Sequence, residues 1–443
     1  MMAEVISFLI LLVTTCGILV GAFIQPHGYL KLPPLCAAVY AGWLLPQLWQ
    51  LRGQLGNLDA TYLAVLNLFF AACLFSVHIG WHWGVRAEAY QLAKTPVRVF
   101  ASQRDITRVT GLVTLVAWSM WIAMGMRSLD ERNETMWSGP LTIMYFFLNL
   151  KMLSMFLSTY LLLRFKSRMA VLLFLANAAL YFPLVLVYFR RRAMLELFIA
   201  LSLAFWFARR AVLPRVGVLL GMPVGTIVVF AVAALRGLAR GDGTSEWKMP
   251  SFADISAIDF WSQTPFVSDQ QYPEVTNAFY LVRLSSELGY HTFGASSWNR
   301  LVFQWVPAQI VGADLKNALM IDVDVGRALV NTFNYSGRTG STSTAMAQAY
   351  VEFGPFGIVF FVATAYVLAR WWARANRGSV WAMTLYACAL PLAVIMPTSY
   401  PIVVLNFMLL YGGALWVIRF MMTDSSSERR HQRHAGREYC DVK

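Results

Sequence analysis

Apolar runs of membrane-crossing length recur along this chain, and no other feature constrains its fold as tightly. A hydrocarbon core of about 30 Å takes roughly 17–25 helical residues. Runs near that length are read at about 4–24, 34–50, 60–83, 108–126, 140–163, 169–189, 193–208, 212–235, 345–369, 379–397 and 401–421. They predict an all-α polytopic membrane protein with about eleven transmembrane helices. Composition agrees: 58% of the 443 residues are hydrophobic and 13% are charged, against roughly a quarter charged in a soluble domain. Four regions follow: 1–236 with helices one to eight, a long hydrophilic loop at 237–344, 345–421 with helices nine to eleven, and a basic tail at 422–443.

The first run follows "MMAE", which is not a basic n-region, and no small-residue cleavage site ends it, so it is expected to stay as a helix. Cys16, Cys36, Cys73, Cys388 and Cys440 fall in or near helices or in the tail. No disulfide framework is implied. The net charge of +13 in such a chain reports orientation, and no nucleic-acid partner is expected.

Orientation follows from the basic clusters. With the tail "ERRHQRHAGR" in the cytoplasm, eleven helices put the N-terminus outside. The clusters at 85–104, 164–168, 209–215 and 370–377 then fall inside, as basic loops should. Arg190, Arg191 and Arg192 break the rule. Two helices separate the cluster at 164–168 from that at 209–215, so if both span, the middle cluster lies on the other side. Either 193–208, sixteen residues long, is a re-entrant or surface helix, or the arginines are outside because something anionic binds there.

The same alternation puts 237–344 outside. The longest cytoplasmic loop, about 85–107, has room for an amphipathic surface helix but not for a folded domain. No GxxxxGK[ST] loop or dinucleotide fingerprint occurs, so a cytoplasmic nucleotide donor has nowhere to bind. In the outer loop, "YPEVTNAFYLVRLSSELG" (272–289) reads as a helix stopped by Gly289. "SWNRLVFQWVPAQIVG" (297–312) suits the bilayer surface or the mouth of a cavity. Ser and Thr in "NYSGRTGSTSTAMAQ" (334–348) are available to cap the ninth helix. No internal repeat is visible, which weakens an inverted-repeat transporter reading.

The external cations are the strongest chemical signal. Arg190, Arg191 and Arg192 end the sixth helix, Arg236 and Arg240 end the eighth, and Arg300, Lys316 and Arg338 come from the loop. Guanidinium groups hold phosphate bidentately and keep their charge, so such a set suits a diphosphate. For each arginine alone, a snorkelling or paired anchor is the competing reading, and Arg192 with Glu196 has i,i+4 spacing. Lys151 lies within the fifth helix, where a charge is costly and functional by default; its bland alternative is a polar contact with Asn149 or a carbonyl. His291 with Glu287 has the spacing of a general base and its orienting carboxylate. Glu352 and Asp242 are rival bases. His78 and His82 share i,i+4 spacing but lack a third ligand, and no metal is expected.

The long outer loop, the external arginines and "TSTAMAQAYVEFGPFGIVFF" (342–361) resemble the bacterial O-antigen or oligosaccharide repeat unit polymerases of the Wzy type. Members often carry a Phe, Pro and Lys segment similar to "LVFQWVPAQIVGADLK", then small residues, a tyrosine and an FG..G pattern, met here by Tyr350, Phe353, Gly354 and Gly357. The resemblance covers mainly 290–370 and the overall topology. One departure stands out: where an acid is expected two before the tyrosine, the chain has Gln348, with Glu352 two after it.

The resemblance implies a GT-C-type glycosyltransferase of the inner membrane that needs no cofactor. It would join repeat units of O-antigen or exopolysaccharide at the periplasmic face, with undecaprenyl diphosphate-linked glycans as donor and acceptor and membrane lipids around it. It also implies a chain-length regulator and a flippase as partners. Three other functions compete: an O-antigen ligase, a non-enzymatic transporter or flippase of a lipid-linked glycan, and a scaffold for polysaccharide export.

Overall fold

A computed structural model describes residues 2–25, 27–54, 60–94, 102–126, 140–211, 214–218, 273–337, 343–398 and 400–418, with scattered positions between 220 and 256. Every regular element among the described residues is helical. Among the described residues, seven helices are long and apolar enough to cross a membrane: Met2–Ile24, Ala60–Gln91, Gln103–Gly125, Ile143–Phe165, Arg168–Val187, Ala345–Asn376 and Pro401–Ile418. The chain is an α-helical membrane protein. The eighth predicted helix is described only in part, and Arg236, Arg240, Asp242, Arg338 and the tail from 419 lie outside the described residues.

The elements are α1 (Met2–Ile24), α2 (Leu32–Val39), α3 (Leu45–Gln54), α4 (Ala60–Lys94), α5 (Gln103–Gly125), α6 (Pro140–Leu148), α7 (Lys151–Phe165), α8 (Arg168–Phe182) and α9 (Arg191–Arg209). The outer-loop region supplies α10 (Pro273–Leu288), α11 (Ala295–Trp305) and α12 (Val325–Phe333). The chain then forms α13 (Ala345–Phe353), α14 (Ile358–Asn376), α15 (Val380–Val394) and α16 (Pro401–Ile418). Local chemistry sets several of the boundaries. Ser102 and Asp105 form a reciprocal capping box on α5, Ser167 caps α8 and Thr344 caps α13. Pro183, which has no N–H to donate, ends α8 and opens a π-helical turn to Val187. A second π turn, Tyr40–Leu44, joins α2 to α3.

Helices α4 and α14 run side by side in the same direction. Gly80 and Gly84 make this approach possible: a Cβ on either would lie 2.3 Å from the Val362 carbonyl oxygen or 2.4 Å from that of Tyr366. Contacts along the pair mark two ends of the bundle. At one, Phe69 packs edge-on against Tyr350 and Tyr62 lies under Arg283 of α10; this is the loop end. At the other, Glu88 accepts hydrogen bonds from Arg370 and Arg374.

Helix α9 connects these ends. Arg191 stacks over Trp43, 5.2 Å from its ring centroid, within electrostatic reach of Glu274 at the start of α10. Arg210, just past the other terminus, donates to the Asn376 side chain and backbone at 2.9 and 2.7 Å. Nineteen residues rise about 28 Å, so the short run at 193–208 passes through the depth of the bundle. It is not a helix lying on its surface. Within the loop read at 85–107, α4 continues to Lys94 and α5 starts at Gln103, with Glu88 held between two arginines of α14; residues 95–101 lie outside the described residues.

Candidate functional site

The loop end collects most of the described candidate residues. The turn before α9 sets its cations. Phe189 takes a left-handed conformation (φ 45°) and Arg190 is extended at the helix N-cap, so the next residues start a new direction. Arg190 lies over Tyr188, 6.0 Å from the ring centroid, while Arg191 covers Trp43. Arg192 turns inward, where its Nε donates to Glu196 Oε1 at 2.8 Å and its Nη2 to Asn149 Oδ1 at 3.3 Å. Successive helical residues point about 100° apart, so the triplet fans out around a helix start. The three guanidinium groups therefore do not face one common surface.

Arg192 ends in a buried polar cluster. Lys151, at the start of α7, donates to the other Glu196 oxygen at 3.0 Å, and the Tyr181 hydroxyl of α8 lies 3.3 Å from that oxygen. Tyr411 of α16 donates to the Asn149 carbonyl at 3.2 Å. The partner of Lys151 is therefore Glu196, 45 residues away, in place of Asn149 or a carbonyl. The i,i+4 pairing of Arg192 with Glu196 is present.

A second cluster forms where the outer loop folds over the end of α13. The backbone N–H groups of Thr292 and Phe293 donate to the Val351 and Glu352 carbonyls at 3.0 Å each, satisfying acceptors that a helix terminus leaves open. Gly354 closes the turn at φ 58°, and a Cβ there would meet the His291 ring at 3.3 Å. Glu352 is buried, at 4% exposed. Its two carboxylate oxygens each lie 2.7 Å from the Ser297 hydroxyl of α11. Arg300, one helical turn further on, stacks on Tyr400 at 3.4 Å from the ring centroid. Burial lowers the pKa of this guanidinium from its ordinary value, with Tyr400 and Glu352 opposing.

The pair of His291 and Glu287 does not form. Glu287 accepts from Arg283 at 2.8 Å, four residues back within the same helix. Gly289, at φ 64°, ends α10 before His291, whose Nδ1 lies 3.3 Å from the Val351 carbonyl. Lys316 folds back on α11, donating to the Phe303 carbonyl at 3.1 Å and lying over that ring. His78 and His82 pack ring against ring with centroids 4.5 Å apart. Sequence reading missed Ser297, which has no local signature, and did not connect Lys151 to Glu196.

Chemically, the loop end offers a shielded carboxylate held by a hydroxyl and several guanidinium groups that lie on aromatic rings. A carboxylate so held can accept a proton, and such cations favour a polyanion. No family model, no curated protein and no solved structure matches this chain.

Proposed function

We propose that the chain is a membrane glycosyltransferase that polymerises oligosaccharide repeat units carried on undecaprenyl diphosphate, at the periplasmic face of a bacterial inner membrane. In this reading eleven helices span, the N-terminus and the region 237–344 are periplasmic, and the C-terminal tail is cytoplasmic. One observation carries it: Arg191 lies within electrostatic reach of Glu274 at the start of α10, so the turn at 190–192 is at the same end of the bundle as the outer-loop helices and Glu352. The passage of α9 through the bundle supports the same topology.

The chemistry is then a displacement. A hydroxyl of the acceptor sugar attacks the anomeric carbon of the donor, the bond from that carbon to the diphosphate oxygen breaks, and undecaprenyl diphosphate departs. Glu352, oriented by Ser297, takes the hydroxyl proton. Cations at the loop end, Arg191 and Arg300 among them, stabilise charge growing on the diphosphate in a partly dehydrated site. The donor is already activated, which matches the absence of a phosphate-loop or dinucleotide motif in the sequence.

Deleting the gene and separating surface polysaccharide on a gel tests this reading. Chains of a single repeat are expected. Long lipid-linked chains with a bare acceptor would point to a ligase, and loss of all external glycan to a flippase. A Glu352→Gln allele is expected to lower polymer formation by about 10²–10⁴-fold, the scale of a lost general base. Cysteines at 190–192 that react only from the cytoplasm would overturn the topology.

A further inference from the structure

The buried cluster at Lys151 is short of negative charge. Lys151 and Arg192 both bond to one carboxylate, Glu196. With Glu196 at 3% exposed and the Lys151 side chain at 10%, the group carries a net charge of +1 inside the helical bundle. Such a charge is costly in a membrane unless something compensates it. Arg192 spends two N–H groups on Glu196 and Asn149, and Lys151 spends one on Glu196. Beyond these hydrogen bonds the two cations meet only neutral rings among the described residues, Lys151 over Tyr181 at 5.4 Å and Arg192 over Phe407 at 5.0 Å from the centroid. The Arg192 side chain is 34% exposed, so the cluster is open on that side alone.

We propose that Arg192 contacts a phosphate group of a ligand, and that Lys151 is the positioning residue that makes this binding favourable. The phosphate supplies the negative charge that the cluster lacks. An isolated pair of Arg192 and Glu196 would be neutral and indifferent to an anion. Lys151 draws on the opposite oxygen of the same carboxylate and leaves the guanidinium electrostatically unspent, while Glu196 and Asn149 fix its orientation. That the phosphate belongs to a lipid-linked glycan rests on the function proposed above; the anion site itself does not.

The two roles open to Lys151 predict opposite signs. If it only holds helices together, Lys151→Met destabilises the protein and leaves anion binding alone. If it keeps the cluster cationic, Lys151→Met leaves a neutral pair, raises the melting temperature of the ligand-free protein, and weakens anion binding. The test uses the full-length protein in detergent, with melting followed in titrations of inorganic pyrophosphate and, separately, of undecaprenyl phosphate.

Wild type is expected to be stabilised by at least one probe. Lys151→Met should bind it about tenfold more weakly, the scale of one charge removed at several ångströms in a protein interior, and Lys151→Arg should restore binding. Stabilisation by pyrophosphate identifies a phosphate site that needs no lipid; stabilisation by undecaprenyl phosphate alone assigns it to a lipid headgroup. No response to either probe, an equal response in wild type and Lys151→Met, or a Lys151→Met protein that fails to fold would each overturn the proposal. None of these readouts depends on polymer synthesis, so the site can fail while the proposed function stands, and the reverse.

Discussion

The two ends of the bundle carry almost the same ionic motif in different settings. At the end opposite the loop, Glu88 accepts from Arg370 and Arg374, and Gln91 gives Arg370 a further acceptor at 2.6 Å. At the loop end, Glu196 accepts from Arg192 and Lys151, with Asn149 as the extra acceptor for Arg192. Each has one buried carboxylate, two cations and one side-chain amide. The Glu88 arginines, however, are 27% and 41% exposed, so water and counterions neutralise their surplus charge. Arg192, at 34% exposed, is as open as they are, but Lys151, at 10%, is not. One stoichiometry therefore makes a helix clasp where both cations reach the surface and a charged interior where one of them does not.

Removing the two carboxylates separates these cases most sharply. Glu196→Gln strands two cations in the bundle and is expected to cost about 3–5 kcal/mol, the range for breaking a buried pair. Thermal unfolding in detergent measures it, and a loss no larger than that of Glu88→Gln would erase the distinction. Glu88→Gln removes charged hydrogen bonds to partly exposed arginines and should cost about 1–3 kcal/mol. In about 1 M salt, where screening acts within roughly 3 Å, the cost at Glu88 should shrink while that at Glu196 persists.

The smallest expected effect concerns Glu274, in the first turn of α10. Burial raises its carboxyl above the ordinary glutamate range, with its own backbone N–H and Arg191 pulling it down. Folding disfavours the charged form, so stability falls as pH rises from about 4.3 through the raised value. Glu274→Gln should flatten that slope in melting temperatures measured between acidic and neutral pH. An unchanged slope would mean that Arg191 fully compensates the burial.

Features governed by near neighbours were legible in the sequence. The helix at 272–289, its stop at Gly289, the capping of α13 and the spacing of Arg192 with Glu196 all depend on residues within a turn or two, where geometry is fixed. Glu287 shows the limit of that logic. Arg283 and His291 stand at equal distance along the chain, and the choice went to the charged partner inside the same helix. The partners of Lys151 and Glu352 come from other helices, and no local pattern encodes which helices meet. The overrun of α4 past its apolar run has the same origin, since Glu88 and its neighbours stay helical against arginines of α14. The π turns at Tyr40–Leu44 and Pro183–Val187 were invisible for another reason: apart from Gly42 and Pro183, nothing in their composition departs from an ordinary helix.

The clasp at Glu88 also bears on how the protein is made. Its arginine partner at 370 lies 282 residues further along the chain. At ribosomal rates of about 5–20 residues per second, the carboxylate waits roughly 15–55 s before that partner is synthesised. For that interval α4 is a finished helix with an unmatched acid near one terminus and an exposed pair of glycines awaiting α14. The assembly machinery must therefore keep α4 accessible, and truncated chains ending before residue 370 should be short-lived, cleared by membrane quality control while longer ones persist.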